Sequence, residues 1–407
     1  MSTASDVVTR PRRRIHPVRW LRQNLFSSWF NTLLTFVSLG LIYIVLRQTF
    51  TWIFLGADWE VVVANLRLFM IGIYPVDQIW RLWLSVAIIV SLIGLSWGLW
   101  PHVVRGVAIS YSAGLLLLTG IIGANLLLAP PETRLFSPQT ALWLLVCCAL
   151  IFGGRFVGGR ERNLGRTVII SWLVALIFII YLMHGAGILL PVVPTTQWGG
   201  LQLTLVLAVT GILFSFPLGV LLAIGRRSNL PAISLFCTLF IEIVRGVPLI
   251  TVLFMFQIML PLFIPGGENI DKVIRAIVAF TIFTSAYIAE NVRGGLQAIP
   301  KGQFEAADAL GLNPVLTMSL IILPQALRTV IPANVGQFIS LFKDTSLVVI
   351  AGLLDLLGIA RSVVAQSEFL GLYAETLLFV AVVYWIFAFS MTHISKRLED
   401  VLGVGKR

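Results

Sequence analysis

Apolar residues run in long blocks from residue 30 to residue 393, broken at intervals by arginine, proline and glycine. A helix that crosses a bilayer needs about 20 mostly apolar residues. The blocks at 29–51, 82–100, 106–128, 140–154, 167–184, 200–225, 232–262, 273–296, 326–350 and 372–394 predict ten such spans. The fourth is short and the seventh is interrupted, so nine spans or a re-entrant element is the alternative count. Pro217 and Pro248 lie inside helical runs and predict kinks, because proline removes a backbone donor and clashes with the preceding turn. A soluble core has no use for this many apolar runs. The pattern therefore predicts an all-α polytopic membrane protein.

The segment 297–325 departs from the pattern. Pro300 and Gly302 break the preceding helix, and residues 303–310 are rich in good helix formers. Gly311 suits a C-terminal cap with positive φ, and Pro314 allows a new helix to start. Ala306, Ala307 and Ala309 would let a partner's surface approach closely, with Phe304, Leu310 and Leu312 as apolar anchors. Glu305 and Asp308 place negative charge where the helix dipole favours it and where basic residues of a partner could reach it. The plain alternative is an ordinary amphipathic connector.

Composition sharpens this reading. The chain has 407 residues, 58% hydrophobic and only 12% charged, about half the charge of a soluble domain. Its net charge of +11 does not indicate nucleic-acid binding, because the arginines sit at helix ends rather than on a soluble basic face. Cytoplasmic Lys and Arg flanking membrane helices account for the excess. Arg10, Arg12, Arg13, Arg14, Arg19 and Arg22 precede the first span. Arg155, Arg160, Arg162 and Arg166 lie at 154–166, then come Arg226 and Arg227, and finally Lys396, Arg397, Lys406 and Arg407. Ten spans put all of these, both termini and 297–325 on the cytoplasmic side. The opposite loops are neutral to acidic: Glu132 and Arg134 at 129–139, none at 185–199, and Asp355, Arg361 and Glu368 at 351–371. No small-residue cleavage site follows the first span, which is read as an uncleaved helix.

Chemistry on the chain itself is sparse. Cys147, Cys148 and Cys237 lie in apolar runs and read as core- or lipid-facing thiols. His16, His102, His184 and His393 form no ligand pair, so no metal is expected. No phosphate-binding G-x-x-x-x-G-K-[ST] loop is present, since Gly405–Lys406 lacks the first glycine. The chain is not expected to hydrolyse ATP or to act as an enzyme by itself.

The order Glu305-Ala306-Ala307, three residues, Gly311, nine residues, Ile321, one residue, Leu323-Pro324 resembles the EAA loop of ATP-binding-cassette (ABC) importer permeases. Gly200–Leu205, Leu222–Ser228, Glu242–Leu249, Ser285–Gly294, Leu323–Arg328 and Lys343–Leu347 resemble polar-amino-acid permeases of that family. Val247 and Ser285 are mild departures from it. More loosely, Asn24–Trp29, Gly72-Ile73-Tyr74-Pro75 and Trp80-Arg81 resemble the M-type membrane subunit of general L-amino-acid permeases.

The resemblance implies a type I (MetI-like) importer core at 200–394 with a cytoplasmic coupling loop at 297–325. Residues 1–28 would be a basic cytoplasmic N-terminus, 29–199 a membrane extension of about five helices, and 395–407 a tail. Pro191, Pro194, Gly199 and Gly200 mark the turn-rich division. In that family Glu305, Ala306, Ala307, Asp308, Gly311, Leu323 and Pro324 would form the handle gripped by a separate ATPase. The ATPase, not this chain, would bind ATP and Mg. Further partners would be a second related permease, as a heterodimer in preference to a homodimer, and a periplasmic or lipid-tethered amino-acid-binding protein. The location would be the bacterial plasma (inner) membrane.

Charges inside membrane helices are costly and face a cavity, a partner or one another. Glu242 and Arg245, and likewise Glu290 and Arg293, are spaced i, i+3 and are neighbours on a helix. Lys343, Asp344, Thr345 and Ser346 interrupt an apolar run. For an amino-acid carrier these residues are candidates for the substrate path or gate. Intrahelical ion pairs or subunit contacts are the structural alternative. An ion-coupled secondary amino-acid transporter is the competing function. It predicts inverted repeats in the two halves, whereas the motifs here gather in one half. A membrane-embedded enzyme would need clustered His, Asp or Cys, which are missing.

Overall fold

The computed structural model describes residues 17–128, 137–188, 190–263 and 270–403, without the side chains of Pro17, Arg19, Leu128 and Arg162. The expectations for Arg10, Arg12, Arg13, Arg14, His16, Glu132, Arg134, Lys406 and Arg407 fall outside the described residues. The chain divides into two compact units, residues 1–59 and 60–407.

In the first unit, α1 (Pro17–Asn24) precedes α2 (Trp29–Thr51), which continues as a π-helical turn, Trp52–Gly56. Ser28 caps α2 by accepting from the Asn31 N–H. No residue of α2 is buried, and its apolar side chains face outward all round, as suits a helix whose solvent is lipid.

The second unit is helical throughout its described residues. Its principal helices are α3 (Ile79–Leu99), α4 (Pro101–Leu128), α5 (Pro138–Arg160), α6 (Gly165–His184), α7 (Gly200–Arg226), α8 (Pro231–Gly246) and α9 (Leu249–Phe254). They are followed by α10 (Lys272–Gln297), α11 (Lys301–Ala309), α12 (Leu323–Asp344), α13 (Leu356–Val364) and α14 (Tyr373–Leu402). Across the described residues, nine helices are long and apolar enough to cross a membrane. The pair Pro231–Gly246 and Leu249–Phe263, bent by 106°, makes a tenth if counted as one span. The interrupted seventh block thus breaks fully at Val247–Pro248, while Pro217 sits inside a continuous α7.

The fourth span is not short: α5 runs for 23 residues. Glycines made its end look like a loop, yet they are where α5 meets α3. A methyl group at Gly154 would stand 2.8 Å from the Ser91 carbonyl, and one at Gly98 would stand 2.6 Å from that of Arg155. Close backbone packing offsets the low helix propensity of glycine. Arg155 then lies over the Trp97 ring at 4.2 Å.

Two apolar clusters join α7, α8, α10 and α12. One joins Leu203 and Leu207 to Phe280, Phe283 and Leu341, and takes in Tyr74 and Met183 from the first half of the chain. The Tyr74 hydroxyl donates to the Met183 carbonyl at 2.8 Å. The other joins Leu222, Ile241, Ile288, Val292, Leu296, Ile322 and Ala326. Between them α7 and α10 touch closely, for a methyl group at Gly219 would come within 2.7 Å of Ile288 Cβ. Gly72 (φ 61°) meets Gly199 backbone to backbone, so the Gly72–Pro75 turn packs on the entry to α7.

Candidate coupling helix and charge network

Local signals shape α11 as the sequence predicts. Pro300 precedes it, and Gly311 (φ 71°) ends it in the left-handed region. The Gly311 N–H donates to Asp308 O at 2.9 Å and the Leu312 N–H to Ala307 O at 3.2 Å, a paired C-terminal cap that satisfies otherwise orphaned carbonyls. Asn313 Oδ1 then accepts from the Leu316 N–H at 2.9 Å, and Pro314 opens the next helical stretch. A π-helical turn, Thr317–Ile322, leads into α12, so the ninth span begins earlier than residue 326.

One side of α11 is seated and the other is bare. Phe304 and Ala307, three residues apart and so on one face, pack inward, with Ala307 only 1% exposed. The expectation that Ala307 offers itself to a partner is therefore corrected: it is spent on seating the helix. Arg227 lies over the Phe304 ring at 5.9 Å and donates to Leu296 O at 3.2 Å. Gln325 Nε2 donates to Gln303 Oε1 at 3.2 Å, tying the two ends of the loop. Leu323 is half-buried in the same cluster and Pro324 is exposed. Glu305, Ala306, Asp308 and Ala309 are exposed, and Leu310 is 77% exposed. Neither acidic side chain of α11 bonds to another described residue.

Beside this loop, Glu290 gathers three arginines. Arg293 pairs with both of its carboxylate oxygens, as the i, i+3 spacing predicts. Arg226 Nη1 stands 3.3 Å and Arg245 Nη1 3.6 Å from Glu290 Oε2. The predicted Glu242–Arg245 pair does not form. Glu242 Oε1 instead accepts from Arg226 Nη2 at 2.9 Å, because helix packing brings the end of α7 between α8 and α10. Arg245 turns to Glu290 and lies 5.7 Å over the Tyr287 ring. Three guanidiniums against two carboxylates leave the network one positive charge in excess. Arg226 and Tyr287 are members that sequence reasoning missed. Arg226 belongs to the Leu222–Ser228 stretch, where the sequence presents it only as an orientation charge at a helix end.

Lys343, Asp344, Thr345 and Ser346 lie elsewhere. They close α12 at the end away from the loop, about 33 Å along a helix of 22 residues. Lys343 is exposed and Asp344 half-buried. The Thr345 and Ser346 hydroxyls donate to the carbonyls of Phe342 at 2.7 Å and Lys343 at 2.8 Å. The eight charged and polar candidates therefore form two groups at opposite ends of the bundle, not one continuous line.

A many-span helical core carrying a protruding, glycine-stopped helix is the architecture of a membrane permease subunit. Residues 215–400 match the family described as "binding-protein-dependent transport system inner membrane component", which assigns the MetI-like core to the C-terminal half. The chain belongs to the amino-acid ABC transporter permeases. It is 40% identical over 403 residues to the inner membrane amino-acid ABC transporter permease protein YhdY of Escherichia coli, covering 95% of this chain and 93% of that protein. It is 36% identical to the glutamate/glutamine/aspartate/asparagine transport system permease protein BztC of Rhodobacter capsulatus, covering 96% and 95%. The probable glutamine ABC transporter permease protein GlnP of Bacillus subtilis matches at 36% identity over 50% of this chain and 91% of its own. A solved amino acid ABC transporter with histidines aligns with 50% of this chain and 92% of its own, at 29% identity and a TM-score of 0.44.

Proposed function

We propose that this chain is the membrane-spanning subunit of an ATP-driven importer of polar L-amino acids in the bacterial inner membrane, moved from outside by a separate ATPase that grips α11. The observation that carries the reading is the two-sidedness of α11. It is firmly seated through Phe304 and Ala307, while Glu305, Ala306, Asp308 and Leu310 are bare. An exposed leucine beside two unpaired carboxylates fits a partner groove with an apolar floor and a basic rim.

In this reading a second related permease completes the pathway, and a periplasmic or tethered binding protein delivers the amino acid. ATP and Mg are held by the ATPase. Closure of the ATPase dimer pushes α11, and the push passes through the Phe304–Arg227 contact to α7 and through the Glu290 network to α8 and α10. Rigid-body rocking of the two permeases then exchanges access between the two sides. The Rhodobacter capsulatus relative is named for glutamate, glutamine, aspartate and asparagine, which makes that set the first substrates to try. Lys343 to Ser346 are the proposed contacts for a zwitterion along the path.

The test is reconstitution with the candidate ATPase and binding protein, comparing Glu305→Lys and wild type. The expected result is loss of both labelled amino-acid uptake and ATPase co-purification, with normal membrane insertion. Unchanged ATP-dependent uptake would overturn the role of α11. Uptake driven by an ion gradient with no ATPase present would establish the secondary-transporter reading instead.

A further inference from the structure

Between the first turns of α4 and the last turns of α14, an open cleft of ≈ 380 Å³ is lined by His102, Arg105 and Arg397, together with Gly106 and Ile109. The two helices pack tightly beside it, for a methyl group at Gly106 would collide with the His393 ring. All three basic side chains are exposed, so a ligand in the cleft can reach them. No carboxylate lines the cleft. Among the described residues, neither guanidinium has an ion-pair partner. The acids nearest along α14 do not enter the lining, and Glu399 is already engaged, accepting from Ser395 Oγ at 2.8 Å. In the Glu290 network the chain supplies the counter-charge; here two like charges converge and it supplies none. The positive end of the α4 dipole adds to the same potential.

Each helix continues from its arginine as an apolar stripe. Arg105, Ile109 and Leu116 share one face of α4, and Arg397, Ile394 and Ile386 share one face of α14. All four apolar members are exposed, and both helices are long and apolar enough to cross a membrane. A basic mouth above two apolar stripes complements an amphiphile with an anionic head. A free phosphate would use the arginines and leave the stripes bare. A methyl group at Gly403, where α14 ends, would stand 3.5 Å from Arg328 Nη2 near the start of α12, so the cleft lies at the end of the bundle that carries α11.

We propose that this cleft holds an anionic phospholipid, with its phosphodiester between Arg105 and Arg397, a further hydrogen bond from His102, and its acyl chains along the Ile109 and Ile394 stripes. Basic pockets between membrane helices suit such headgroups. The headgroup clamps α4, from the first half of the chain, to the last helix of the core. The site needs the membrane setting alone, so it stands or falls separately from the transport reading.

Lipid binding to the full chain, purified in non-ionic detergent with the subunits that accompany it, tests the site. Fluorescent phosphatidylglycerol is the probe. The competitors are unlabelled phosphatidylglycerol, phosphatidylcholine, whose headgroup has no net charge, and glycerol 3-phosphate, which has the phosphate and no chains. Expected are saturable binding of the probe, competition by phosphatidylcholine about tenfold weaker than by phosphatidylglycerol, and no displacement by glycerol 3-phosphate. Arg105→Gln and Arg397→Gln should each lose about fivefold in affinity. Arg160 is the control: it is exposed at the same end of the bundle, where Gly98 meets the Gly159 backbone, and lies outside the lining. Arg160→Gln is expected to bind like the wild type. Absence of saturable binding, as when a partner subunit covers the cleft, would overturn the site. So would equal competition by phosphatidylcholine, or equal losses in Arg160→Gln and Arg105→Gln, which would reduce the effect to general surface charge. Displacement by glycerol 3-phosphate as strong as by phosphatidylglycerol would assign the cleft to a free phosphate ester and remove the lipid. The competitor comparisons use unsubstituted protein, so misfolding of a variant cannot produce them.

Discussion

The hydroxyl of Tyr384 on α14 donates to Asp355 Oδ2 at 3.1 Å, and the same carboxylate caps α13 through the N–H groups of Gly358 at 2.9 Å and Leu357 at 3.2 Å. Asp355 is fully buried, and the Leu356 N–H beside it donates to Thr204 on α7 at 3.1 Å. Three helices thus meet at one acidic cap. Burial pushes the Asp355 carboxyl above its ordinary value of 3.8, against the pull of the Gly358 and Leu357 N–H groups and Tyr384. A carboxyl raised on folding binds its proton more tightly in the folded chain. Its contribution to stability is full below the ordinary value and is lost as pH rises through the raised one. Asp355→Asn is expected to flatten that decline in melts of the solubilised protein at stepped pH, and Tyr384→Phe to cost about 1 kcal/mol. An unaltered pH slope in Asp355→Asn would assign the decline to other groups.

Glu290 and Glu242 differ in weight. Glu290 pairs with three arginines with its side chain 25% exposed, whereas Glu242 pairs with one and is 54% exposed. Removing the shared partner of several half-buried charges costs about 2–3 kcal/mol, while an exposed pair contributes less than about 1 kcal/mol. Glu290→Gln is therefore expected to lower the melting temperature of the solubilised protein clearly, and Glu242→Gln barely. A double-mutant cycle of Glu290→Gln with Arg245→Gln should show coupling, even though Arg245 looks like a partner of Glu242 by spacing.

Gly311 isolates a backbone effect. A methyl group there meets nothing within 4 Å, so the demand for glycine comes from φ 71° alone. Left-handed backbone costs an ordinary residue about 1–2 kcal/mol, and asparagine less. ATPase co-purification is expected to fall in the order wild type, Gly311→Asn, Gly311→Val. Equal loss in both variants would point to a side-chain clash with the partner instead.

The contact between α3 and α5 offers a paired contrast. A methyl group at Gly94 would collide with the Ile151 backbone, while one at Gly153 meets nothing within 4 Å. Gly94→Ala is expected to destabilise by about 1–3 kcal/mol. Gly153→Ala should be neutral or gain up to about 1 kcal/mol. Thermal melts of the two variants read the difference directly.

What the sequence shows depends on how local the cause is. The cap of α11 is written within a few residues, in Gly311, Asn313 and Pro314, and is legible. The Glu290–Arg293 pair is legible for the same reason. Glu242 is not, since its partner Arg226 arrives from another helix. The length of α5 was under-read because Gly153, Gly154, Gly158 and Gly159 resemble a loop until α3 is set against them. Asp355 looked like a loop charge, and only packing shows it to be buried.

α10 joins the Asp271 cap to the Glu290 network as one unbroken helix of 26 residues, about 39 Å in length. Such a rod works as a lever. A tilt of about 5° about one end carries the other through about 3 Å, more than a hydrogen bond to a carboxylate tolerates. In the proposed reading, pressure on α11 therefore loosens the Asp271 cap and its Thr195 contact at the far end of α10, with no chain of rearranging side chains between them.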